Sequence, residues 1–282
     1  MYQEQGASQG DLDNSILLKN RNPAELFINF LRKTFVIAEL EVRKLRHDPT
    51  ELLTRAAQPA LWMLVFGEVF TRVRAIPTGS LSYLDFMAPG ILAQSVLFVA
   101  IFYGISIIWE RDLGIVHKFL ASPTPRAALV LGKALSAGVR AISQAVIIYL
   151  LSFLLNVQLS WVPLSLLGIL IVVMMGAALF STFSLIIACI VKTRERFMGI
   201  GQVLTMPLFF ASNAIYPITI MPGWLKVIAH VNPLTYQVDA LRTLMISGGV
   251  SQYGLLFDFA ALFVWMIILS VIGAKIYPSV AR

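Results

Sequence analysis

Six long apolar runs, separated by short charged or proline-rich breaks, dominate the chain. They fall near 53–71, 86–108, 131–155, 162–190, 199–217 and 255–276. About 30 Å of hydrocarbon needs roughly 20 helical residues, and each run is close to that length. The pattern therefore predicts an all-α membrane protein with six transmembrane helices. The first run is the roughest, because it starts in LLTRAAQP and carries Gln58 and Pro59. The sixth is clear despite Asp258 near its start. Residues 1–22 are polar and are expected to be a flexible tail ahead of one membrane domain, 23–282. No apolar h-region occurs within the first 25 residues, which argues against a cleaved signal peptide.

Three stretches do not fit plain spans or plain connectors. In PAELFINFLRKTFVIAELEVRKLRHDP, residues Phe27, Leu31, Phe35, Ala38, Val42 and Leu45 recur at helical spacing. Pro23 suits a first helical turn and Pro49 a stop, so an amphipathic helix in the membrane interface is expected. A soluble helix packed on a partner is the other reading. The second stretch, ERDLGIVHKFLASPTPR at 110–126, is charged, yet GIVHKFLA places Ile115, Val116, Phe119 and Leu120 beside His117 and Lys118. Its charges exclude hydrocarbon. It is longer than a minimal connector, which points to a docking surface; a loop on lipid head groups is the alternative. The third lies between the fifth and sixth runs. MPGWLKVIAHV predicts one short helix after Pro222, and PLTYQVDALRTLMI a second, capped by Asn232 with Pro233 at its first position and ended by Gly248 and Gly249. Two short helices re-entering the outer leaflet are expected, with an ordinary external loop as the alternative.

Composition agrees with a membrane solvent. The chain is 58% hydrophobic and 13% charged, with a mean hydropathy of +0.79; soluble domains are nearer half apolar and a quarter charged. Lysine and arginine counts set the orientation. With both termini inside, 17 fall on cytoplasmic segments, 4 on outer ones, and Arg140 lies within a span. This puts 110–126 and KTRER at 192–196 in the cytoplasm. The net charge of +7 then reads as anchoring to anionic lipid rather than as a nucleic-acid surface.

Little in the chain suggests chemistry. Cys189 is alone and reads as a small helix filler, and His47, His117 and His230 have no ligand spacing. No GxxxxGK[ST] phosphate loop is present, and ISGGVSQ at 246–252 reads as a helix stop. Arg140 either lines a pathway or snorkels to the cytoplasmic surface. Glu68 and Asp85 are expected to be solvated interfacial charges, or to pair with Arg72 or Arg74. Ala177, Ser181, Ser184 and Ala188 form a small-residue stripe that suits close helix packing within the subunit, a dimer seam being the second reading. A secondary transporter would carry acids at the bilayer midplane, whereas the acids here sit at the edges. A membrane enzyme would need a grouped constellation, and none stands out. A non-transport membrane scaffold is the remaining alternative.

The segment from Glu110 through Arg111, Gly114, Leu120, Pro123 and Pro125 to Leu131, Gly132 and Lys133 resembles the cytoplasmic loop of type-2 ABC transporter permeases. FMAPGIL at 86–92 resembles their entry to the second span. SNAIYPITIMPGWLKVIAHVNPLTYQVDALR, with Pro217, Pro222, Trp224, Asn232, Pro233, Tyr236, Asp239 and Arg242, resembles their outer segment. The similarity covers roughly residues 25–280, and three motifs occur in the family's order. The resemblance implies the permease subunit of an exporter for drugs, lipids or glycoconjugates. It implies a second permease subunit, as homodimer or heterodimer, and two copies of a separate ABC ATPase that bind ATP and Mg. It implies no cofactor on this chain. It gives Glu110, Arg111, Gly114 and Leu120 to a short coupling helix docked in the ATPase. It also implies a multi-pass protein of a bacterial or bacterial-derived inner membrane.

Overall fold

The computed structural model describes residue 54 and residues 57–73, 76–79, 81–113, 126–191 and 193–276. The tail at 1–22, the expected interfacial helix, and Gly114, Leu120, Pro123 and Pro125 lie outside the described residues. Residues 57–61 are helical and lead through a π-helical turn, Trp62–Gly67, into α1, Glu68–Val73, so that 57–73 together make the first helix. Beyond it come α2 (Tyr83–Tyr103), α3 (Ile105–Asp112), α4 (Arg126–Leu154), α5 (Pro163–Ile190) and α6 (Arg194–Phe210). A 3-10 turn, Ile218–Ile220, precedes α7 (Gly223–Val231), α8 (Pro233–Met245) and α9 (Leu255–Ile276). Among the described residues the only β-type pairing is an isolated bridge between Leu159 and Ile246.

Four of these helices, α2, α4, α5 and α9, are long and apolar enough to cross a membrane. They match the second, third, fourth and sixth expected runs, and the sixth agrees to the residue, Leu255–Ile276. The other two expected spans are helical but differ in detail. The first contains the π turn, where Gly67 lets α2 come close: a Cβ there would lie 2.4 Å from Leu84 Cδ1. The fifth is expected at 199–217, whereas α6 runs Arg194–Phe210. It starts early because the Thr193 hydroxyl caps it, accepting from the Arg196 amide at 3.4 Å. It stops early because Asn232 Nδ2 donates to the carbonyls of Leu208 (2.7 Å) and Ala211 (3.1 Å), replacing the next turn of helix. Residues 211–215 then form a buried turn instead of span.

The centre of the bundle is α2. Ser82 and Asp85 form a reciprocal capping box that starts it. It packs against α4, α5, α6, α8 and the first helix, so 83% of its most apolar stretch is buried inside the chain, against 11% for α9. Gly90 makes one of these contacts possible, since a Cβ there would lie 2.4 Å from the Ala214 carbonyl oxygen. The second expected span, 86–108, is interrupted at Gly104. The Ser184 hydroxyl of α5 donates to the Ile101 carbonyl, the usual acceptor for the residue 105 amide, and the helix restarts as α3. Ser184 belongs to the small-residue stripe, and Ala177, Ser181, Ser184 and Ala188 are all buried within this chain. Intrasubunit packing is thus their role here.

Candidate functional site

Three regions along the bundle carry the polar residues that matter. At one end, α7 and α8 form with the expected caps. Asn232 Oδ1 accepts from the Leu234 amide at 3.0 Å, with Pro233 at the first helical position. The same Asn232 side chain ends α6, so one residue starts one helix and closes another. Pro222 precedes α7, and its carbonyl accepts from Leu225 (3.0 Å) and Lys226 (3.1 Å). Pro217 precedes the 3-10 turn in the same way. The Tyr236 hydroxyl donates to the His230 carbonyl at 2.5 Å, joining α8 to α7. α7 leaves Trp224, Val227, Ile228 and Val231 exposed as an apolar face.

Buried charges hold this end to α2. The Arg242 guanidinium donates to the carbonyl of Asn213 at 2.7 Å and to that of Phe86 at 3.2 and 3.3 Å. It also lies 3.8 Å from the centre of the Phe86 ring. Burial pulls its pKa down, and Asp239 opposes that pull. Asp239 Oδ2 accepts from the Ser251 hydroxyl (2.8 Å) and the amides of Gln252 (2.8 Å) and Tyr253 (3.2 Å), which fixes the turn before α9. The same hydroxyl lies 3.1 Å from Asp258 Oδ2. The sequence placed Asp85 in solvent or beside an arginine; it is instead only 4% exposed. Its Oδ1 accepts from the Gln158 amide at 2.9 Å and its Oδ2 from the Ser82 hydroxyl at 2.7 Å, so cap and loop together desolvate it. Glu68 is different. It is exposed and pairs with Arg72 one turn on, at 3.8 Å.

The other ends of α2 and α6 meet at a second polar junction. Glu110 and Arg111 lie on the last turn of α3. Arg194, in the first turn of α6, stacks 3.6 Å from the centre of the Trp109 ring and bonds Asp112 Oδ2 at 2.9 Å. Beneath it Phe197 packs with Ile108, Leu185 and Ala188. The sequence marked 192–196 only as a cluster of positive charge. An aromatic and an acid in WERD at 109–112 and the arginines of TRER at 193–196 were the available signal, but the register between two distant segments was not.

Between the two ends is a cavity of about 590 Å³. Its walls are the first helix, α2, α3, α4 and α6. On α2, Gln94, Ser95, Phe98, Val99 and Phe102 share one helical face, and on α6, Met198, Gln202 and Met206 recur every four residues. Gln58 and Pro59 come from the first helix, Thr54 from ahead of it, Gln144 from α4 and Ile105 from α3. Arg140 lies one turn from Gln144 on α4, with its guanidinium 5.3 Å from the centre of the Tyr103 ring. Gln58 stands out in the sequence as a polar break in the first run, whereas Gln94, Gln144 and Gln202 do not. An amide in each of four apolar runs was the missed signal, because buried amides need partners.

Residues 32–246 match the family described as ABC-2 type transporter. The chain is 28% identical over 217 residues to the putative transport permease ycf38 of Cyanophora paradoxa, covering 76% of this chain and 74% of that one. It is 26% identical to the daunorubicin resistance ABC transporter permease protein DrrB1 of Streptomyces coeruleorubidus, over 71% of this chain and 70% of that one. It is 23% identical to the inner membrane transport permease YadH of Escherichia coli (strain K12), over 73% and 79% of the two chains.

Proposed function

The chain belongs to the ABC-2 type transporter family, a transport permease and integral membrane protein, and from that premise we propose that it is the membrane subunit of an ATP-driven exporter. In this reading the first helix and α6 complete a set of six spans. The segment after α3 is cytoplasmic and docks on a separate ABC ATPase. Two permease subunits and two ATPase subunits make the working unit, in a bacterial or bacterial-derived inner membrane with both chain termini in the cytoplasm. The cargo is hydrophobic or amphipathic, and it leaves the cytoplasm or the inner leaflet. The exposed apolar face of α7 suits a helix that re-enters the outer leaflet rather than an aqueous loop.

One observation carries the mechanism. The helix that leads into the charged segment is clamped to the helix that walls the cavity. α3 ends at Asp112, Asp112 binds Arg194, and Met198, Gln202 and Met206 lie further along the same α6. A push delivered at 110–126 would therefore move a cavity wall as a rigid rod. α6 has 17 residues, about 25 Å at 1.5 Å per residue. Its far end is tied through Asn232 to α8, so the rod also reaches the opposite end of the bundle. Glu110, Arg111, Gly114 and Leu120 are the proposed contacts with the ATPase.

The test is co-purification with a candidate ATPase and measurement of ATP hydrolysis and transport in liposomes. Glu110→Ala and Gly114→Leu should weaken complex formation or break the coupling of hydrolysis to transport. If both stay intact, the coupling assignment fails. Substrate flux driven by an ion gradient without any ATPase would favour a secondary transporter instead.

A further inference from the structure

We propose that the cavity walled by α2, α4, α6 and the first helix binds an uncharged amphiphile whose oxygens accept hydrogen bonds from glutamine amides. This names a substrate class for the exporter reading, and it depends on that reading only for the transport step after binding. Four separate helices each present one glutamine to the space, Gln58, Gln94, Gln144 and Gln202. Two of them are buried deeply, Gln94 at 3% and Gln144 at 1% exposure. Among the described residues Gln94 Nε2 has no hydrogen-bond partner. A buried amide donor facing a cavity is satisfied by whatever enters it.

Charge narrows the class of ligand. No ionisable side chain is found among the described residues that line the cavity. The buried charges among the described residues are committed elsewhere: Arg242 to Phe86 and Asn213, Asp239 to the 251–253 turn, Asp258 to Ser251, Asp85 to Ser82 and Gln158. Arg140 stacks on Tyr103 and is not part of the lining. An ionised head group would enter low-dielectric surroundings with no counter-charge among the described lining residues, at a large desolvation penalty. Hydroxyl, carbonyl or ether oxygens carry no such penalty, and each amide offers them both donors and an acceptor.

Apart from Thr54 and Ser95, whose hydroxyl donates to the Ile91 carbonyl at 2.9 Å, the rest of the lining is apolar and adaptable. Phe98 and Phe102 stack with centroids 5.9 Å apart, and Met198 and Met206 add flexible, polarisable surface. About 590 Å³ is within the range for drug-sized ligands. A membrane lipid with an uncharged head and a free uncharged compound share this chemistry.

The test uses the full chain in phosphatidylcholine nanodiscs and three photoactivatable probes with the same decyl chain: a glucoside, a sulfate and a trimethylammonium. Labelled peptides are mapped by mass spectrometry. The glucoside should label the α2 and α6 peptides bearing Phe98 and Met198 about fivefold more than either charged probe. Gln94→Ala with Gln144→Ala should lower that labelling about tenfold. Those two sites are buried, so exposed Gln202 gives a variant that spares the fold. Gln202→Glu should shift labelling from the glucoside to the trimethylammonium probe. Equal or stronger labelling by a charged probe in the unaltered protein overturns the proposal, as does a Gln202→Glu variant with unchanged head-group preference. Competition separates the sources. Displacement by a diacyl glucoside in the disc supports a membrane lipid; displacement only by octyl glucoside in water supports a free compound; displacement by neither overturns the proposal. Labelling needs no ATPase, so intact labelling with failed ATP-coupled transport would sink the exporter reading alone.

Discussion

The α7–α8 end and the cavity both place polar side chains inside an apolar bundle, but they use different groups. The α7–α8 end uses charge. Arg242, Asp239 and Asp85 are each at most 6% exposed, and each is bound to backbone groups of another segment. The cavity uses amides, on four helices, and among the described residues no backbone group bonds Gln94 Nε2. A buried charge whose partners are lost is heavily destabilising, so it suits contacts that never open. A neutral amide tolerates exchange between water and a ligand, so it suits a surface that is alternately filled and emptied. The chain thus separates holding from handling by choice of functional group.

Removing a holding group should give the largest effects. Arg242→Ala leaves the Asn213 carbonyl without its donor and strips a packed guanidinium from Phe86, and should cost about 3–5 kcal/mol. Arg242→Lys should recover little, because an ammonium cannot reproduce the planar contact with the Phe86 ring. Thermal unfolding in detergent, tracked by loss of monodispersity, measures both. Gly90→Ala comes next. Its methyl would meet the Ala214 backbone at 2.4 Å, and backbone must shift to admit it. About 1–3 kcal/mol of overpacking is expected from the same measurement. Asn232→Ala removes a cap and two donors to the end of α6, and should cost about 1–2 kcal/mol. Native stability after either of the last two changes would show that the α6–α8 junction and the α2 crossing are not fixed points.

Arg194→Ala tests the junction that lies between holding and handling. Its ion pair with Asp112 is part-exposed, so the stability change should stay near or below about 1 kcal/mol. The expected consequence is functional: ATP hydrolysis by the partner continues while transport in liposomes falls. Asp112→Ala should behave alike, and the double variant should add little to either. Additive losses would mean that the two residues act separately, and that α3 does not drive α6 through this contact.

The elements themselves were largely legible in the apolar pattern. Residues 255–276 and 162–190 read correctly because long apolar runs with clear polar flanks leave one solution. Asn232 and Pro233 read correctly because capping chemistry is local. What failed was set by contacts between distant segments. Nothing near Phe210 says that α6 stops there; the reason is Asn232, 22 residues on. Nothing near Gly104 says that α2 breaks; the reason is the Ser184 hydroxyl on α5. Asp85 was misplaced in solvent because its second partner, the Gln158 amide, comes from another loop. Gln58 roughens its run, but Gln94, Gln144 and Gln202 are individually unremarkable in sequence, and the four become a group only when the bundle closes.

The smallest stability effect should come from the cavity itself, and its smallness is the sharper half of the comparison. Gln202 is exposed, and the network at the α7–α8 end does not include it. Gln202→Ala should therefore change unfolding by no more than about 0.5 kcal/mol, as surface substitutions do. If the cavity handles cargo, the same change should nonetheless lower coupled export of an uncharged amphiphile about two- to threefold, with basal ATP hydrolysis unchanged. Gln58→Ala should act in the same direction, since it faces the same space from the first helix. A variant that unfolds easily would place Gln202 among the holding groups and erase the division between the two regions. A variant that is stable and fully active would leave the amides as packing alone. Only unchanged stability with lowered export fits a surface whose partners arrive and leave with the cargo.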